Sequence, residues 1–255
     1  MLLRDDGDAV VVIGQPAHAW LSGQLARAWG NERLGEVVPR EEVCLGAEQH
    51  DVGMAAWDLS PTLNPETGRP HSFMEMPIAT HLELWTSAPS RLLAQSRYAA
   101  LLVSMHGVAL YERRDLDKMT PDDADAVRAY LEGQRALQEA LIDSLGAHPA
   151  EVRRNQRLVW TWDFLSLALC LDWAPTEIGG VPSAGEPLTL RLRDATIEPW
   201  PFAAARVVLQ SEGRRLEGRF DDEAAMRAAL AGAPWETLRF ELRCPPPGES
   251  PPGAG

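Results

Sequence analysis

Apolar residues change their period along the chain, and the changes mark its elements. Residues 9–14 (AVVVIG) form a continuous apolar run rich in valine, which predicts a short buried strand. Gln15-Pro16 opens a helix with His18, Leu21, Leu25, Ala28 and Trp29 on one face and Gly30 at its end. A second helix is predicted from near Pro39 into His50, with Val43, Ala47, His50 and Met54 on one stripe. Residues 57–73 contain Pro61, Pro65, Gly68 and Pro70 and read as a loop, long enough to suggest a functional loop or lid. Pro77 opens a helix carrying His81, Leu84 and Trp85, which Pro89 interrupts. From Ser90 the helical pattern resumes, with Leu92, Ser96, Ala99, Val103, His106 and Leu110 at i, i+4, i+7, i+11, i+14 and i+18. Thr120-Pro121-Asp122-Asp123 starts a helix that runs to about Gly146. A last long helix covers 150–172, with Val152, Val159, Trp160, Leu167 and Cys170 on its apolar stripe and Asp163 in the middle of it.

After Pro175 the period becomes two. Residues 188–193, 206–210, 216–220 and 237–242 alternate as strands, and 221–231 can form one short helix. The fold expected from this pattern is mainly α: a helical bundle with a short N-terminal strand and a small C-terminal antiparallel β element. Its divisions are a helical core over 1–175, a β-rich appendage packed on it over 176–244, and a disordered Pro/Gly tail over 245–255.

Composition narrows the function. Acidic residues number 37 against 24 basic ones, a net charge of -13. That disfavours nonspecific binding to nucleic acid or anionic lipid, both of which need dense cationic surface. No apolar stretch reaches the ~18 residues of a membrane span. The N-terminus has acids where a signal peptide carries bases. Cys44, Cys170 and Cys244 are odd in number and form no CxxC pair, so neither a disulfide framework nor a cysteine zinc site is expected. A soluble, reduced, cytoplasmic protein follows from these features.

The chemistry lies where polar residues interrupt apolar faces. His18, His50, His81, His106 and Asp163 each fall on a core-facing stripe, and Asp51 follows His50 directly. A buried neutral histidine needs one hydrogen bond. A buried aspartate needs a cation or several donors. Taken singly, each has a plain reading as a satisfied core histidine, or as an aspartate that caps a helix or pairs with an arginine. Taken together they suggest one polar centre, and a metal ion is the simplest group that satisfies imidazoles and carboxylates at once.

The order of these residues, H…HD…H…H…D, resembles the HD-domain superfamily of metal-dependent phosphohydrolases. HAWLSGQLARAWG looks like that superfamily's first-ligand helix, and EEVCLGAEQHDVG like its HD doublet. QPAHAWLSGQLARAWG, EQHDVGMAAWD and LLVSMHG also look like one particular bacterial family of uncharacterised proteins. The superfamily resemblance covers about residues 9–172. It implies an HD-type helical fold in which His18, His50, Asp51 and Asp163 hold one metal ion. His81 and His106 would complete a second site, with Asp51 bridging the two. Asp51, His81 and His106 would then serve catalysis. The implied cofactors are one or two divalent transition metal ions (Fe, Mn, Ni or Zn). The implied reaction is hydrolysis of a small-molecule phosphate ester by a metal-bridging hydroxide. An HD-type di-iron oxygenase and a metal-binding sensor without turnover are the alternatives.

The match has departures. Many HD proteins carry a phosphate-binding lysine soon after the doublet, whereas Met54, Ala55 and Ala56 stand here and the one lysine is Lys118. The GYP signature of cyclic-dinucleotide phosphodiesterases is missing after His106. Arg69, Arg97 and Arg113 are the candidates for holding phosphate, each with an alternative reading as a surface arginine. His71 is either a general acid over the site or a solvated loop histidine. Asp58 either orients a ligating histidine or caps the next loop. The tryptophans, nine in all, read as core filling or as an aromatic platform.

Overall fold

The computed structural model describes residues 1–245, and the expected Pro/Gly tail lies, apart from its first residue, outside them. In chain order the elements are strands β1 (Leu2–Asp6) and β2 (Ala9–Ile13), then helices α1 (Gln15–Ala28), α2 (Arg40–Glu48) and the single turn α3 (Ala55–Asp58). A two-residue pair, β3 (Leu63–Asn64) and β4 (Arg69–Pro70), precedes α4 (Ile78–Ser87), α5 (Arg97–Tyr111), α6 (Pro121–Leu145) and α7 (Pro149–Leu171). The chain continues with β5 (Thr176–Val181), β6 (Leu188–Arg193), β7 (Thr196–Glu198), β8 (Arg206–Glu217), α8 (Glu223–Gly232) and β9 (Trp235–Arg243). No helix among the described residues is long and apolar enough to cross a membrane.

The expected helical bundle of HD type, with only a short N-terminal strand and a small C-terminal β element, is corrected. The fold is mixed α/β with three antiparallel sheets, ordered β1-β2-β8-β9, β3-β4 and β5-β6-β7. The reason lies in β2. All five of its residues are buried. Val11 and Ile13 pack into the main helical core, while Val10 and Val12 pack on the other face beside Leu216 and under Ala229 and Leu230 of α8. A strand covered on both faces must satisfy its backbone groups from both edges. A hairpin turned at Gly7 (φ 66°) supplies β1 on one edge, with Leu2 opposite Ile13. The C-terminal segment supplies β8 on the other, with Ile13 opposite Gly213. The two stretches expected as separate strands at 206–210 and 216–220 belong to this one 12-residue strand, up to Glu217.

The helices pack in two clusters, the first of them on this sheet. α1, α2 and α7 bury Leu21, Leu25, Val43, Val159 and Trp162 against Ile13 and Leu209. α4, α5 and α6 bury Leu82, Trp85, Val103, Tyr111 and Leu131. Burial of each such side chain contributes roughly 1.5–3 kcal/mol. α5 faces both clusters, with Leu101 and Leu102 in the first and Val103 and Val108 in the second. Gly23 sets the spacing of α1 and α2, since a Cβ there would stand 2.7 Å from Cβ of Glu48. That close approach brings the His18 turn of α1 beside the chain just after α2. α5 begins later than its pattern suggests, because Ser96 caps it by accepting a hydrogen bond from the Ala99 N–H, at 3.1 Å.

Candidate metal centre

Four segments bring their polar residues to one place. His18 sits on the buried face of α1, His106 on that of α5 and Asp163 on that of α7. His50 and Asp51 lie just beyond α2, not on it, in the turn that enters a 3-10 segment at Val52–Met54. This turn requires Gly53: a Cβ there would stand 2.5 Å from the Leu84 carbonyl oxygen and 2.9 Å from Ala88. The doublet is thereby held against α4. All five side chains are buried.

Hydrogen bonds fix which ring nitrogens face inward. His50 Nδ1 donates to the Ala47 carbonyl at 2.8 Å, so in the neutral ring Nε2 carries the lone pair. Nε2 is 3.2 Å from Asp163 Oδ1 and 3.7 Å from Asp51 Oδ2, yet is aligned for no hydrogen bond. Ser166 sets the tautomer of His18. Its hydroxyl donates to the Asp163 carbonyl at 2.8 Å, so it accepts from Ser22 Oγ and from His18 Nδ1, each at 2.9 Å. His18 Nε2 therefore points inward, 2.6 Å from Asp51 Oδ2. His106 Nε2 lies 3.6 Å from Asp163 Oδ2, and its Nδ1 has no hydrogen-bond partner.

The electrostatics call for positive charge. Burial works to raise the Asp51 and Asp163 carboxyls, but the histidines around them hold both below the ordinary carboxylate range. Burial also works to lower His50, but Asp51 and Asp163 outweigh it and raise the imidazole to about 9. His106, for which burial dominates, falls to about 4 and stays neutral. Two carboxylates thus face inward-pointing imidazole nitrogens in an enclosed space. His18, His50 and Asp163 each present one donor atom, all within 4.8 Å of one another. A buried His/His/Asp triad able to coordinate a single metal ion is present. The orphaned Nε2 of His50 is the feature such an ion would satisfy.

His81 lines the same cavity without joining the triad. Its Nδ1 is bonded to the Tyr111 hydroxyl at 2.5 Å, and its Nε2 accepts from the Trp85 indole at 3.0 Å. The cavity, about 270 Å³, is lined by His18, Asp51, His106 and Asp163 together with apolar side chains such as Phe73, Met76, Leu110 and Leu167.

Other candidates are placed elsewhere. Arg69 pairs with Asp5, Arg97 donates to Ser144, and Arg113 lies over the Trp160 ring, so none of the three lines the cavity. His71 bonds Thr62, at 3.0 Å. Asp58 accepts from the Gln15 backbone N–H at the start of α1. The sequence reading gave Ser22, Ser166, Tyr111 and Arg114 no role at the site. Two of these had a signal: Ser22 is four residues after His18 and Ser166 three after Asp163, spacings that share a helix face.

A family model described as "Protein of unknown function (DUF3891)" matches residues 1–218. The chain belongs to the DUF3891 family. The match runs from β1 through β8, across the expected boundary at 175. No curated protein and no solved structure matches the chain. The assignment to the HD superfamily is corrected by the sheets: a mixed α/β fold bearing three of them is not that superfamily's helical bundle. The HD-type phosphohydrolase, with its metal-bridging hydroxide, was implied by that resemblance and falls with it, as does the HD-type oxygenase. The metal-binding cluster itself does not depend on the resemblance.

Proposed function

We propose that this chain is a metalloprotein with a mononuclear site for a divalent transition metal ion, and that the adjoining cavity brings a small molecule to it. The observation that carries the reading is the His50 ring nitrogen Nε2, where a metal ion would take the place of the proton that the raised imidazole holds at neutral pH. This nitrogen is buried, unpartnered and 3.2 Å from a carboxylate oxygen, an arrangement that a cation between them would relieve. His18, His50 and Asp163 would hold the ion, and the mixture of imidazole and carboxylate suits iron, manganese, nickel or zinc.

Such an ion supplies Lewis acidity or an activated water to a neighbouring ligand. The chain's own residues do the rest. Ser166 and the Ala47 carbonyl fix the two imidazoles in the tautomers that turn Nε2 inward. Asp51 Oδ2, 2.6 Å from His18 Nε2, adds a second carboxylate beside the triad that can accept a hydrogen bond from a bound ligand. Trp85 and Trp160 both pack against the His106 ring, with centroids 5.6 Å away in each case.

Metal analysis tests this proposal. Wild-type protein purified without chelator should hold about one equivalent of a transition metal, while His50→Ala and Asp163→Asn should hold almost none at an unchanged circular dichroism spectrum. Equal metal content in wild type and both folded variants would overturn the reading.

A further inference from the structure

The cavity contains a charge that the metal site does not use. Arg114, an exposed residue in the turn that follows α5, is among the residues that line it. Its guanidinium makes no ion pair with any carboxylate among the described residues, and lies 5.0 Å from the centroid of the Tyr111 ring. In a chain of net charge -13, with most neighbouring arginines paired or stacked, an uncommitted guanidinium facing a cavity is a local exception. The cavity lining also includes the apolar side chains of Phe73, Met76, Leu110 and Leu167. His81 adds no competing charge: burial, together with the Arg114 guanidinium, lowers it to about 4, so it is neutral at pH 7.

We propose that the cavity takes a small organic carboxylate, with its anionic group on Arg114 and its apolar body along Phe73, Met76 and Leu110. This rests on the metal site proposed above, which the far end of the ligand would meet. A planar guanidinium fork matches a carboxylate in two parallel hydrogen bonds. A single guanidinium balances one negative charge, and the acidic surroundings work against a dianion. The volume, about 270 Å³, lies below the ~300–1,000 Å³ of drug-sized sites and limits the ligand to a short chain or one ring.

The experiment uses hexanoate as the probe and hexan-1-ol as its uncharged match. Binding is followed by calorimetry on the full chain at pH 7.5, with metal content measured in every sample. Wild type should bind hexanoate saturably and prefer it to hexan-1-ol. Arg114→Gln should weaken hexanoate about tenfold, the scale of a lost charge-assisted hydrogen bond, and abolish the preference. Arg113→Gln, altered at the arginine over Trp160, should bind like wild type. The proposal is overturned if metal-loaded wild type binds no hexanoate, if Arg114→Gln leaves its affinity unchanged, or if phenyl phosphate binds more tightly than hexanoate. Arg114-dependent binding to a chain that takes up no metal would instead refute the metal reading and leave the carboxylate site standing.

Discussion

Ser166→Ala separates the tautomer argument from simple packing. The Ser166 hydroxyl makes three hydrogen bonds: it donates to the Asp163 carbonyl and accepts from Ser22 and from His18 Nδ1. Alanine fits the same helical position and removes all three. Left without an acceptor, the buried Nδ1–H of His18 costs about 1–3 kcal/mol, partly offset by the higher helix propensity of alanine. The imidazole can then rotate or change tautomer, which withdraws Nε2 from the triad. Loss of a group that orients a metal-ligating histidine costs about 10–100-fold in metal affinity. Ser22→Ala is the control. It removes a neighbouring buried hydroxyl but leaves the Ser166–His18 bond in place. Urea unfolding of the chelator-treated proteins and competition against a zinc-binding dye measure the two effects. Ser22→Ala should lose stability with little change in zinc affinity, whereas Ser166→Ala should lose both. Equal zinc affinities in wild type and Ser166→Ala would refute the role given to this hydroxyl.

Two further outcomes follow from the same geometry. Gly53→Ala would place a Cβ against the Leu84 carbonyl, so the urea midpoint should fall by the equivalent of about 1–3 kcal/mol, and metal retention with it; an unchanged midpoint would show that the turn is not so constrained. His81, lowered to about 4 by burial and Arg114, takes up its proton first in the unfolded chain, so its contribution to stability is present above about pH 6.5 and is lost as pH falls towards 4. Between pH 7 and pH 4.5, chelator-treated wild type should therefore lose up to about 3 kcal/mol more than His81→Gln. Parallel pH profiles would contradict the burial of this ring.

The site was more legible in the sequence than the sheets were. His18, His106 and Asp163 stood out because a helical stripe repeats every turn, so a polar residue on an apolar face is visible locally. Even there, the pattern continued α2 through His50, because periodicity alone does not register where a helix ends. The sheet left no comparable local mark. β1 (LLRDD) is an edge strand, half polar, and reads as a charged N-terminus. The middle of β8, with Ser211, Glu212 and Gly213, resembles a turn, but Gly213 stands opposite Ile13 in β2. A pairing that spans about two hundred positions depends on what β2 lacks on its open edge, and no window of neighbouring residues carries that information. Arg114 was hidden for a similar reason. It sits among the charged residues that follow α5, and only the return of α4 and the Phe73–Glu75 segment makes that place the wall of a cavity.

A crystal structure of the metal-loaded protein, with anomalous scattering recorded at the metal's absorption edge, tests the central claim most directly. The account predicts one anomalous peak within bonding distance of His18, His50 and Asp163, with His50 Nδ1 still on the Ala47 carbonyl. A peak elsewhere, or full metal occupancy with His50 Nε2 left unligated, would contradict it.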